Sequence, residues 1–178
     1  AGPRDLFKKT QVVFSAADHV LPGLGDKMPD GVILGARGAY GLMSPKSALN
    51  DWWWKSYETA NKVYPVQAPY RMVQALLGLK LAAEKAMAAN GGKKPTAEQL
   101  AAALRNSEWD SPAGKIRMVL GGGHQAIQET AIGRTKYDAA KKMVMLEDIQ
   151  RFPAECVNPP ANMKSEDWIK AGMPGAKC

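Results

Sequence analysis

The sequence lacks any apolar run able to cross a membrane. Its longest, Met72 to Ala89, is interrupted by Gln74, Lys80 and Glu84, whereas a spanning helix needs about 20 nearly uncharged residues. Histidine is scarce: His19 and His124 are the only two, and neither a Gly-x-Ser-x-Gly elbow nor a His-Glu-x-x-His pair accompanies them. Neither histidine sits at ligand spacing from a cysteine. No catalytic residue, metal site or cofactor is therefore expected, and the chain does not read as an enzyme. Basic runs are also missing. The net charge of +7 divides into +2 over residues 1–64, +2 over 65–113 and +3 over 114–178, and no cluster exceeds the doublets Lys8-Lys9, Lys93-Lys94 and Lys141-Lys142. A surface that tracks phosphates concentrates its Lys and Arg, so no nucleic-acid partner is expected. The opening Ala-Gly-Pro-Arg-Asp shows no basic segment leading into an apolar one, and no signal peptide is legible.

What is present is an average globular composition. Of 178 residues, 46% are hydrophobic and 23% charged, enough to bury a core in one domain or two small ones. The two cysteines, Cys156 and Cys178, both fall in a Pro-, Gly- and Asn-rich tail. A disulfide there would pin a segment with little else to hold it, which implies an oxidising compartment. The other reading is a pair of free thiols.

Thr10–Ser15 and Gly31–Leu34 are β-branched runs between Gly and Pro, and read as buried strands. Ser44-Pro45 offers a cap and a first-turn proline for a helix to about Val63, stopped by Pro65. A long helix is predicted from about Pro69 to Ala89, with Met72, Leu76, Leu79, Ala83 and Met87 as its core face and Asn90-Gly91-Gly92 as its stop. A third opens at Thr96, which forms a capping box with Gln99. Ile116, Met118 and Leu120 alternate as a strand does, and Ala126–Thr135 and Lys142–Ile149 are further candidates. Strands mixed with helices predict an α/β fold, with helices covering a mainly parallel sheet.

Gly121-Gly122-Gly123 reads as a turn or hinge, because no helix with Lys-Ser/Thr follows to make it a phosphate cradle. Trp52-Trp53-Trp54 cannot all face one core, since successive helical residues turn by about 100°. They form an aromatic platform, or else neighbouring segments cover them. Asp30, at the edge of a strand, either caps a turn or receives an ammonium.

Taken in order, the Asp30-Gly31-Val32-Ile33 strand edge, the segment Trp54–Ala86, the Thr96–Leu104 helix, the Ser111-Pro112-Ala113-Gly114-Lys115-Ile116 strand entry and His124-Gln125 resemble a known family. They are similar to the C-terminal half of a periplasmic solute-binding protein of the branched-chain amino acid type, which feeds an ABC importer. The resemblance covers about residues 6–150. It implies the type I periplasmic-binding fold, here as parts of two sheet-and-helix lobes joined by hinge strands, and a preceding N-terminal half of the same protein as partner. Residues 1–64 would belong to the second lobe, 65–120 to the first and 121–150 to a hinge crossing and return, with 151–178 a stapled tail. It further implies a periplasmic receptor that closes on a small carboxylate-bearing ligand, an amino acid, amide or aromatic acid, and delivers it to a membrane permease. A ligand-sensing domain of a signalling protein shares the fold and is the alternative. By resemblance Asp30 falls where the family places an acid for an α-ammonium, and Gln67 and Tyr70 lie nearest the position that packs on the ligand side chain. The chain departs from the family there, with Ala68 and Val73 where aromatic residues are common.

Overall fold

The computed structural model describes residues 6–36, 38–176 and 178. Along the chain run α1 (Leu6–Lys9), β1 (Val13–Phe14), α2 (Leu21–Leu24), β2 (Ile33–Ala36), α3 (Ala48–Asn61), α4 (Gln67–Ala89) and α5 (Ala97–Leu104), then β3 (Glu108–Ser111), β4 (Gly114–Leu120), β5 (Gln125–Ile127), β6 (Thr130–Asp138), β7 (Met143–Phe152), α6 (Ala154–Val157) and α7 (Ser165–Lys170). The chain divides into two units: residues 1–70 with 130–151, and residues 71–129 with 152–178.

The first unit is built on the sheet β1-β2-β6-β7. Only β1 and β2 run parallel. β6 pairs with β2 antiparallel, and the four residues between β6 and β7 permit only a hairpin. The expected mainly parallel sheet is thus corrected: a parallel pair needs a crossover between its strands, and the later strands of this chain follow one another through short turns. β1 is shorter than expected and exposed at both residues. The burial along β6 alternates, with Ala131, Gly133 and Thr135 inward, as a strand with one face on a core must. Leu21, Met28, Val32, Leu34, Ala39, Met43 and Val144 complete that core. Thr135 is fully buried; its hydroxyl donates to the Pro29 carbonyl at 2.7 Å and accepts from the Val32 N–H at 3.0 Å. A buried hydroxyl that used only one of these would carry a desolvation cost.

Ser47, rather than Ser44, caps α3 by accepting the Asn50 N–H at 3.1 Å. Ser44 instead donates to the Gly41 carbonyl at 2.7 Å. Lys62 takes the left-handed conformation that ends α3 ahead of Pro65, a stop typical of helix C-termini.

The second unit carries the antiparallel sheet β3-β4-β5. α5 has the capping box expected from Thr96 and Gln99. The segment 126–135, expected as one strand, is two: β5 ends at Ile127 and β6 starts at Thr130. Gly121, Gly122 and Gly123 all have positive φ and make the turn between β4 and β5. The rest of α4 lies in this unit with Val73, Gln74, Gly78, Ala82 and Ala86 buried, whereas Met72, Leu76, Leu79 and Met87 are exposed. The face assigned to the core from its period is the outer one. Close packing selects the other: at Gly78 any Cβ would lie 2.7 Å from the Trp109 ring, and that ring is fixed by its Nε1–H, which donates to the Gln74 carbonyl at 3.1 Å. The buried Gln74 amide donates in turn to Ser111 Oγ at 3.1 Å and to Gln128 Oε1 at 2.8 Å. The tail is held by the Cys156–Cys178 disulfide and by buried Trp168, whose indole N–H donates to the Pro174 carbonyl at 2.9 Å.

Candidate functional site

Two of the three ligand-site residues singled out in the sequence, Gln67 and Tyr70, lie in the first turn of α4. The first N–H groups of a helix have no intrahelical acceptor, and the Gln67 N–H donates to Asp18 Oδ2 at 2.6 Å. Asp18 thus caps α4 from a position 49 residues away in sequence, where its negative charge also suits the positive end of the helix dipole. Next to it Gly41 has φ +54, and a Cβ there would stand 3.2 Å from the Pro65 carbonyl. Both the conformation and the closeness select glycine.

Tyr70 is fully buried. Its hydroxyl donates to Asn50 Oδ1 at 2.6 Å, and the Asn50 amide donates to Ser44 Oγ at 3.0 Å. With the Ser44 bond to Gly41, this makes a continuous relay from α4 through α3 to the turn before it. Burial pushes the Tyr70 hydroxyl up to about 12. Its ring lies 5.9 Å from that of Tyr40 and stands edge-on to Trp53 at 6.3 Å. Trp54 stacks on Tyr64 at 5.5 Å, while Trp52 is exposed. The three successive tryptophans therefore divide: two are half-buried in this aromatic group and one faces solvent, as the 100° helical step requires.

Three buried polar atoms in this unit have no partner among the described residues: Asp18 Oδ1, Trp53 Nε1 and the Tyr64 hydroxyl. Burial, and then the charge of Asp18, push the Tyr64 hydroxyl up to about 12.

Asp30 occupies a different place. It is exposed and accepts from Lys136 Nζ and from the Tyr137 N–H, both at 2.8 Å. The lysine bond first, and then the backbone bond, hold its carboxyl below the usual value. Asp30 borders a surface recess of about 290 Å³ with Phe7, Lys9, Thr10 and Arg134. Lys136 and Tyr137, which hold it, are distinct from Asp18 and Asn50, which bond Gln67 and Tyr70. Asp18 and Asn50 were not singled out from the sequence; the bonds that tie them to α4 span 49 and 20 positions, beyond any local pattern. Among the described residues no group of three His, Cys, Asp or Glu forms a metal-binding cluster, and no helix is long and apolar enough to cross a membrane.

No protein-family model matches the chain, and no curated protein does. Solved structures do. An ABC-type branched-chain amino acid transporter protein from Rhodopseudomonas palustris aligns with a TM-score of 0.61 and 26% identity, over 81% of this chain and 37% of that one. A solute-binding protein of an ABC transporter from the same species, in complex with 3,4-dihydroxybenzoic acid, gives 0.63 and 21%, over 86% and 40%. A leucine-binding protein from Thermotoga maritima gives 0.59 and 16%, over 83% and 39%. The chain spans 37% to 40% of the length of these solved neighbours. Its fold is that of part of a type I periplasmic-binding protein.

Proposed function

We propose that the chain is the later part of a periplasmic solute-binding receptor. The receptor binds a small carboxylate-bearing solute between two lobes and passes it to the permease of an ABC importer, without chemistry. The observation that carries this reading is the alignment of 81% to 86% of the chain with solved solute-binding proteins. The first unit then belongs to the second lobe and the second unit to the first. In this reading Gln67 and the aromatic group around Tyr70 belong to the solute site. Tyr70 supports that site through Asn50 rather than offering its own hydroxyl.

The pairing of Asp30 with Lys136 narrows the solute class. A carboxylate already bonded to an ammonium has little to gain from a second one, and Lys9 and Arg134 border the same recess. A solute with a carboxylate and no ammonium fits this surroundings better than an amino acid does. A thermal-shift screen of the complete receptor against amino acids, amides and aromatic acids tests the function, because a ligand bound only by the folded state at 100 times its Kd stabilises by about 2.7 kcal/mol. A screen in which no carboxylate raises the melting temperature sinks the proposal. Asp30→Ala, followed by calorimetry, tests the class: affinity for an aromatic acid should stay unchanged. Abolished binding of an amine-bearing ligand would instead make Asp30 its ammonium acceptor.

A further inference from the structure

Helix α4 is apolar on two arcs. One, with Val73, Leu77, Gly78 and Ala82, is covered or half-covered within the second unit. The other carries Met72, Leu76, Leu79, Ala83 and Met87, which at about 100° per residue fall within an arc of about 80°. Met72 is 62% exposed, Leu76 56%, Leu79 51% and Met87 41%. No charged residue of α4 falls inside that arc; Lys80 lies about 20° beyond its edge and Glu84 about 60°, and the two pair at 2.6 Å. Toward the C-terminal end of α4 lies a groove of about 340 Å³ lined by Ala86, Ala89, Ala102 and Ala103 together with Lys85, Asn90 and Gln99.

A contiguous exposed apolar patch of this kind marks an interface. We propose that the arc Met72-Leu76-Leu79-Met87 is the seat of the remaining part of the same fold, polypeptide outside these 178 residues that meets α4 with an uncharged aliphatic surface. Length supports this occupant over others: the solved neighbours are matched over only 37% to 40% of their chains, so the larger part of the fold has no counterpart here. The proposal rests on the reading of this chain as part of a longer receptor.

The thioethers supply the test. Met72 and Met87 report on the arc, while Met173, 49% exposed and outside α4, serves as the internal control. The 178-residue chain and the full-length native product are each treated with peroxide, and sulfoxide formation at each methionine is followed by mass spectrometry. The expected result is that Met72 and Met87 oxidise about as fast as Met173 in the 178-residue chain and on the order of tenfold more slowly in the full-length product. Equal rates in both overturn the proposal. So does slowing in the 178-residue chain alone as its concentration rises, which assigns the arc to a second copy, and so does a native product no longer than 178 residues. As a second measurement, Leu76→Lys/Leu79→Lys should lower the Tm of the full-length product by about 5 °C or more and barely move that of the 178-residue chain; equal shifts count against the proposal. A solute screen on the same full-length product separates the two claims. Protected methionines without any solute binding sink the function and leave the interface standing.

Discussion

The two units of the chain are stabilised by different means. The first buries large side chains, Leu21, Met28, Leu34, Met43, Tyr70 and Val144 among them. The second has a larger share of small ones, with Ala82, Ala86, Ala113, Ala154 and Cys156 alongside Val73, Ile116, Leu120, Ile127 and Trp168, and leaves the aliphatic stripe of α4 exposed. In place of buried area it has the Gln74–Ser111–Gln128 hydrogen bonds and a disulfide. Buried apolar surface contributes roughly 25 cal/mol per Å², so a unit whose stripe is in solvent forgoes that contribution until something covers it. In the first unit the exposed large side chains, Leu6, Val13, Phe14, Val20, Trp52 and Ile149, are spread over several elements; in the second, four of them share one face of α4.

Substitution at matched leucines is the sharpest way to break this contrast. Leu34→Ala, in the first core, should cost about 2–5 kcal/mol in urea unfolding. Leu76→Ala in the same 178-residue chain should stay within about 0.5 kcal/mol. Equal losses would mean that the α4 stripe is packed after all. Next in size, Cys156→Ser should remove about 3 kcal/mol, because the crosslink closes a loop with a sequence separation of 22 and so restricts the unfolded chain. An unchanged midpoint would show that the tail is held by Trp168 alone. The smallest effect is alkaline. All five tyrosines lie in the first unit, and the folded values of Tyr64 and Tyr70, about 12, stand above the unfolded value near 10. A group whose folded value is raised stabilises fully below its unfolded value and loses that contribution as pH rises through the folded one. Stability of the first unit should therefore fall between about pH 10 and 12, with two tyrosines ionising late by absorbance. Simultaneous ionisation of all five would contradict their burial.

What the sequence made legible was set by range. The capping box at Thr96 and Gln99 and the pairing of Cys156 with Cys178 depend on residue type and neighbours alone, and both are present. The apolar period of α4 located the helix but chose the wrong face, because a helix with two apolar arcs offers two solutions to one periodicity. Only Trp109, seated against Gly78, decides between them. Strand direction was missed for a related reason: Ala126–Thr135 looks continuous, while its break at Gln128-Glu129 and its antiparallel partner β2 depend on residues about 100 positions away. Asp30 was visible as a strand-edge acid, but its pairing with Lys136, 106 positions away, was not. Asp18, the acid at the start of α4, carries no local signature at all.

That carboxylate has a consequence for how the protein opens. An amide in the first turn of a helix ordinarily exchanges its proton with water freely, since no helical carbonyl accepts it. The Gln67 amide is bonded to Asp18 instead, so its exchange is governed by separation of the Asp18 segment from α4 rather than by fraying of the helix end. One hydrogen thus becomes a clock for the closure of a 49-residue loop, read at the turn where the solute site is proposed to lie.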